Sequence, residues 1–319
     1  AQGAAPAEGT STEQAAAPKA KEPIEPLPAK VEVDMDKVLL GRALFHDNLL
    51  SGDDSLSCAT CHSLDHGGAE PRKSSQGIRG QSGPINSPTV LNSAYNFVQF
   101  WDGRAKTLEE QAEGPVENPL EMGATWDEVV KKVAAQEDYK AKFDKLYDGK
   151  IDKGTITHAI AEYERSLVTP SRFDRFLRGD ASAITEAEKA GYTKFKETGC
   201  PTCHTGVLAG GTSFQKMGLV KDYFKERGGE LTEADQGRFN VTKNEADRHH
   251  FKVPTLRNVE LTPPYFHDGS HETLEAAVKT MARVQLGREL SDADAASIAA
   301  FLRSLTGELP AHAKVPAAG

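Results

Sequence analysis

All four cysteines of the chain fall in two copies of one pattern, CATCH at 58–62 and CPTCH at 200–204. None is left over for a disulfide. C-x-x-C-H is the signature of covalent c-type haem attachment. Two thiols bond the porphyrin vinyl groups and the adjacent histidine ligates the iron. A C-x-x-C pair also serves as half a zinc site or as a redox dithiol. A zinc site pooling both pairs would not require a histidine directly after each. The pattern therefore favours two haem c groups, one on Cys58, Cys61 and His62, the other on Cys200, Cys203 and His204. Haem c is attached outside the cytoplasm, so a bacterial chain of this kind is expected to be periplasmic. No leader is visible ahead of AQGAAPAEGT, and the chain reads as a mature or truncated form.

The 319 residues leave room for one large or two ordinary domains. No run approaches 18 apolar residues, and a formal net charge of −9 argues against general nucleic-acid binding. Residues 1–30 are rich in Ala, Pro, Glu and Lys and predict a disordered tether. The remainder reads as mainly α. TWDE at 125–128 and TEAE at 185–188 are capping-box signals. Ile156, Ile160, Tyr163 and Leu167 share a helical face, as do Leu274, Val278 and Met281, and Ile298, Phe301, Leu302 and Leu305. Alternating strand patterns are scarce.

An internal repeat organises the rest. PTVLN at 88–92 is followed, twelve residues after its proline, by FWDGRAKTLEE; PTLRN at 254–258 is followed at the same spacing by FHDGSHETLEA. The offset is 166 throughout. Gly41 and Phe45 precede the first haem motif much as Gly191 and Phe195 precede the second. The expectation is two cytochrome c-like haem domains related by internal duplication, 31–172 and 173–319, with a boundary near 170–182. The C-terminal tail has scope to pack back on the first domain.

The repeat lets each half serve as a control for the other. Met281 maps onto Pro115, so the second haem has a thioether where the first has none. Methionine at helical spacing is ordinarily core. A haem with one histidine, however, needs a sixth ligand to be a stable electron carrier, and His/Met ligation raises the potential. Met281 is therefore expected to ligate the second iron. In the first half the segment after FWDG offers Gln111, Glu117, Glu121 and Met122. A carboxylate above an open iron could move a proton between the oxygens of a bound peroxide, and Gln111 could hydrogen-bond the same ligand. Met122 is a rival ligand, seven residues out of register. Trp101, the counterpart of His267, is either a buried aromatic or a bridge between haems. His66 lies four residues past His62. Four residues reach at most about 13–14 Å, so bringing it over the iron would strain the chain, and a surface or propionate-side histidine is the expectation.

At these residues the chain resembles the bacterial di-haem cytochrome c peroxidases, with the MauG-type enzymes close by. The matching strings include GPINSPTVLN, FWDGRAKTLEEQAEGPV, FKVPTLRNVELTPPYFHDGS and MARVQLGRELS, and they cover nearly everything from about 35 to 306. The resemblance implies reduction of hydrogen peroxide to two waters. It makes the haem on His62 the low-potential peroxidatic site and the haem on His204 and Met281 the acceptor of electrons from a small soluble cytochrome c or a cupredoxin. It matches Gln111 and Glu121 to the distal catalytic pair and Trp101 to the inter-haem tryptophan. It implies a calcium ion on Asn86 and the carbonyls of Thr262 and Pro264, and a homodimer. MauG-type enzymes, which oxidise tryptophans of a partner protein, carry tyrosine where Met281 stands. One departure is clear. Many members have a histidine that caps the first iron at the position of Ile78, and the loop 67–87 contains no histidine. Reductive activation is thereby put in doubt. A di-haem carrier without peroxide chemistry, and a MauG-like oxidase, are the alternatives.

Overall fold

Two glycines ahead of the C-x-x-C-H motifs are the points where helices touch. A computed structural model describes residues 22–314 of the chain. In it, α1 (Met35–Phe45) crosses α6 (Lys153–Ser166), and α8 (Glu186–Thr198) crosses α12 (Asp292–Arg303). A Cβ at Gly41 would lie 1.8 Å from the carbonyl oxygen of Ala159, and one at Gly191 would lie 2.0 Å from that of Ser297. Phe45 meets Tyr163 edge-on at 5.3 Å, and Phe195 meets Phe301 at 5.1 Å. Both crossings use the same device: a glycine for close approach and an aromatic one turn later to fill the wedge.

The other elements follow from local signals. Capping boxes at Thr125/Glu128 and Thr185/Glu188 start α4 (Trp126–Ala134) and α8. Between these lie α5 (Glu137–Tyr147) and α7 (Arg172–Leu177), and the first motif forms α2 (Cys58–Cys61). Thr107 and Thr273 cap α3 (Leu108–Glu117) and α11 (Leu274–Leu286), again 166 residues apart. The offset extends to the backbone. Asn92 and Asn258 have φ of 61° and 59°, and Phe100 and Phe266 have 67° and 73°. The two halves are less alike between 205 and 253. There the chain inserts α9 (Tyr223–Arg227), α10 (Phe239–Thr242) and an antiparallel pair, β1 (Phe214–Lys216) and β2 (His250–Lys252). The sequence signals did not announce this pair, because three-residue strands are too short to alternate visibly. Among the described residues no helix is long and apolar enough to cross a membrane.

The apolar side chains collect mainly in two clusters, one around Phe45, Phe143, Ile156 and Tyr163, the other around Phe173, Phe195, Phe301 and Leu305. Each is completed by a distant piece of chain. Residues 1–21 of the expected tether lie outside the described residues, but 22–30 are ordered, which corrects the expectation there. Ile24 is buried in the second cluster and Leu27 in a smaller one beside it. Few large apolar residues suffice when each finds a complete pocket. Conversely, Ala313 joins the first cluster, and His312 Nε2 lies 2.8 Å from Ser166 Oγ.

One buried ion pair ties these segments down. Arg257 and Asp174 are fully buried and 2.7 Å apart. Arg257 also donates to the carbonyls of Val207 and Glu25, each at 2.9 Å. Asp174 also accepts from the amides of Leu27 (2.7 Å) and Ser171 (2.6 Å). Removing one partner leaves the other charge buried and unanswered, which costs about 3–5 kcal/mol. Asp174→Ala is therefore expected to lower unfolding free energy by that amount in urea titrations of the holoprotein. A loss below about 1 kcal/mol would show that water replaces the carboxylate.

Candidate functional site

Each C-x-x-C-H motif is a short turn that ends on its histidine. The amide of His62 donates to Cys58 O at 2.9 Å, and that of His204 to Cys200 O at 3.1 Å. His62 Nδ1 lies 3.3 Å from Gly68 O and His204 Nδ1 lies 2.9 Å from Ala209 O. A carbonyl only accepts, so Nδ1 carries the proton and Nε2 keeps its lone pair for a metal. Burial holds both imidazoles below their usual pKa and so keeps them neutral. All four cysteines are free and partly buried. Burial pushes the thiols of Cys58, Cys61 and Cys200 up to about 12. Two free thiols and an imidazole with an available Nε2 lone pair, all on one short turn, suit haem c attachment.

Two adjoining cavities open beside His62 and share His62, Gln111, Pro115, Glu121 and Glu164 as walls. The larger is also lined by Asn86, Trp101, Arg104 and Lys252, the smaller by Cys58, Cys61 and Met122. Glu164 Oε2, Ser93 Oγ and Asn96 Oδ1 are buried on these walls without a hydrogen-bond partner. Orphaned buried oxygens are rare in a finished interior. Together with the paired thiols they fit a slot shaped for a porphyrin.

The residues expected at the first site thus converge on one space. Gln111 comes from α3 and Glu121 from the loop after it. Burial raises the Glu121 pKa, opposed by the Asn118 amide, which donates to Glu121 Oε1 at 2.7 Å, and by the charge of Arg104. Glu117 is exposed. Trp101 Nε1 donates to Asn86 O at 2.9 Å, and the ring packs on the Met217–Phe251–Val284 cluster, which also receives Met281. One indole therefore borders the first cavity and the apolar neighbourhood of Met281. His66 is exposed on a turn and does not line either cavity.

Ile78 is buried, and its amide donates to the carbonyl of Glu121 at 2.8 Å. Gln81 Nε2 donates to Pro119 O at 3.0 Å. A Cβ at Gly77 would lie 1.9 Å from Leu120 O. The loop 67–87 is therefore laced to the loop that carries Glu121.

Asn86 is buried; its Nδ2 donates to Arg72 O and its amide to His267 O, both at 2.8 Å. Thr262 packs against Gly67. Among the described residues, Asp235, His267 and Asp268 form a grouping with metal-ligand spacing. Arg227 already bridges it, 2.8 Å from Asp235 and 2.9 Å from Asp268, so its negative charge is answered.

Sequence reasoning missed Glu164 and Lys252. Glu164 reads as one more charge on an amphipathic helix, yet burial pushes its carboxyl up to about 8. Its place one turn after Ile160, on the buried face of α6, was the available signal. Lys252 is buried, as are its neighbours Phe251 and Val253.

Comparison with known proteins agrees with this picture. Residues 35–182 match the family model described as di-haem cytochrome c peroxidase. The chain is 51% identical over 288 residues to the cytochrome c peroxidase Ccp of Escherichia coli, covering 90% of this chain and 61% of that longer protein. It is 49% identical to the cytochrome c551 peroxidase of Nitrosomonas europaea, covering 91% and 86% of the two chains. A crystal structure of a MauG-like protein associated with microbial copper homeostasis superposes with a TM-score of 0.77 at 29% identity, covering 94% of this chain and 97% of that one. The relatives at 49–51% identity are both named cytochrome c peroxidases. The chain belongs to the di-haem cytochrome c peroxidase family, and the family implies two haem c groups.

Asn118→Ala removes the hydrogen bond that favours ionised Glu121. The carboxyl is then expected to protonate at higher pH, read as an upward shift of its midpoint in an infrared difference titration. An unmoved or lower midpoint would show that the amide does not hold the carboxylate.

Proposed function

We propose that the protein reduces hydrogen peroxide to water at the His62 site, with electrons received at the His204 site from a small soluble cytochrome c or a cupredoxin. The observation that carries this reading is the convergence of His62, Gln111, Glu121 and Trp101 on one cavity. The net reaction is H2O2 + 2 e− + 2 H+ → 2 H2O. A donor of this kind delivers one electron at a time, so a second metal centre stores the other equivalent. Haem, when bound, supplies the redox chemistry that breaks the O–O bond.

The protein's own part is proton placement. Burial keeps Glu121 more protonated than an exposed glutamate, and Asn118 and Arg104 keep it from staying so. Such a group can take a proton from one peroxide oxygen and return it to the other. Gln111 orients the same molecule by hydrogen bonding. Trp101, bordering both sites, serves as the bridge between them, and Met281 completes the second centre. Retention of methionine there favours peroxidase over MauG-like oxidation of a protein. With hydrophobic Ile78 at the usual capping position, the 67–87 loop would offer no histidine to a haem held by His62, so peroxide access there would be opposed by water at most and would not call for prior reduction of the second centre.

The 166-residue offset in caps, φ angles and glycine contacts supports two haem domains, about 31–172 and 173–319, derived by duplication. Asn86, Thr262 and Pro264 remain the proposed calcium ligands, the seam between 67–86 and 261–267 being their common ground. A periplasmic location and a homodimer complete the proposal.

Glu121→Gln is expected to lower steady-state peroxidase turnover by roughly 10²–10⁴, with both haems still attached by pyridine haemochrome assay. Turnover near wild type would remove Glu121 from the mechanism. Stopped-flow mixing with peroxide separates the electron-carrier alternative, which predicts no spectral change in either the oxidised or the half-reduced protein.

A further inference from the structure

Lys252 is the only lysine among the described residues in the buried class, at 7% exposure. It ends β2, and its amide donates to the carbonyl of Trp101 at 2.8 Å. Its side chain lines the larger cavity with His62, Trp101, Arg104 and Glu164. No hydrogen bond or ion pair from a described residue reaches its ammonium. With no counter-charge beside it, burial lowers its pKa to about 8. Glu164 shares the cavity wall, but its carboxyl titrates near 8 as well and makes no ion pair with Lys252. A buried ammonium without an anion is costly, so this one calls for an acidic partner from outside the chain.

The two cavities are the two ends of one slot. Cys58 and Cys61 line only the smaller; Trp101, Arg104 and Lys252 line only the larger. In protoporphyrin the vinyl-bearing rings occupy one edge and the propionate-bearing rings the opposite edge. Thioether bonds at Cys58 and Cys61 fix the vinyl edge at the cysteine end, and the propionates must then point to the Lys252 end. Arg104 is also there, but its guanidinium is 46% exposed, paired with Asp102 at 3.1 Å and laid over the Phe100 ring.

We propose that Lys252 binds a propionate carboxylate of the haem attached at Cys58 and Cys61. The inference rests on the haem reading given under the proposed function. A charge-assisted bond of this kind is short and directional. It makes the 173–319 half of the chain contribute to the first site. Because β2 also holds Trp101 through the backbone, the haem edge and the indole would be positioned by one strand. A cation beside the propionate favours the reduced iron, so its loss lowers the potential.

The test uses the holoprotein and the variants Lys252→Met, Lys252→Gln and Lys252→Arg. Haem content is measured first, then the midpoint potential of each haem by spectroelectrochemistry, then the propionate-bending bands by resonance Raman. Lys252→Met and Lys252→Gln are expected to shift the first haem's potential downward and move its propionate bands, with the second haem unmoved. Lys252→Arg is expected to keep most of the wild-type values. Wild-type potential and bands in both neutral variants would overturn the proposal, as would equal shifts at the two haems. If Lys252→Met does not accumulate as holoprotein, Lys252→Gln against Lys252→Arg carries the same comparison. Fewer than two haems on the wild-type chain would instead remove the reading beneath the proposal.

Discussion

The hydroxyl of Thr169 is the point on which the two halves hang. It accepts Asn92 Nδ2 at 2.9 Å and Asn258 Nδ2 at 2.8 Å, the two asparagines of the P-T-x-x-N repeats. Asn92 Oδ1 in turn accepts the Thr169 amide, and Asn258 Oδ1 accepts that of Gly307. Every one of these groups is buried or nearly so, and a buried amide left unpaired costs about 1–3 kcal/mol. Both asparagines hold left-handed backbone, which asparagine tolerates better than most side chains. The same residue thus turns the chain and fastens it. From this knot the strings leading to Trp101 and to His267 run outward, and their relative placement is set before either reaches its site.

Much of this was legible because it rests on residues with narrow uses. Gly41 and Gly191 mark helix crossings that admit no Cβ, and Thr107 and Thr273 mark helix starts. Cysteine spacing states its own geometry. What was not legible depended on partners far away in sequence. Ile24 and Leu27 sit in a stretch whose composition predicts disorder, and only the clusters they enter make them ordered. β1 and β2 pair over three residues each, too few for a pattern within either strand to show, and the Ser213 carbonyl extends the pairing by accepting the Val253 amide. Glu164 and Lys252 carry charge signals that point outward, while the fold turns both inward. A buried charge looks the same as a surface charge until its surroundings are known, whereas a glycine or a proline carries its constraint with it.

The loop holding Ile78 shows how a side chain can bear on a site through the frame behind it. The backbone around it is built to lie against the Glu121 loop, through the Ile78 amide, the Gln81 side chain and the missing Cβ of Gly77. An isoleucine there adds apolar contact, its Cδ1 filling the space under Gly123. A segment that buries its side chain and bonds its amide has little reason to leave. The position therefore stabilises the carboxyl loop from behind.

The two ends of the described chain cross over. Residues 22–30 close pockets beside the second cluster, and 309–314 close the first. Each half is thus finished by a strap that belongs, in sequence, to the other. During synthesis the half made first stays uncovered until the segment made last arrives, so its apolar surface must wait through the whole of the second half's production. Cutting the chain between the halves would give two fragments, each missing its cover. Each terminal strap thus ties its own end of the chain to the core at the opposite end, and a change in either strap is felt there first.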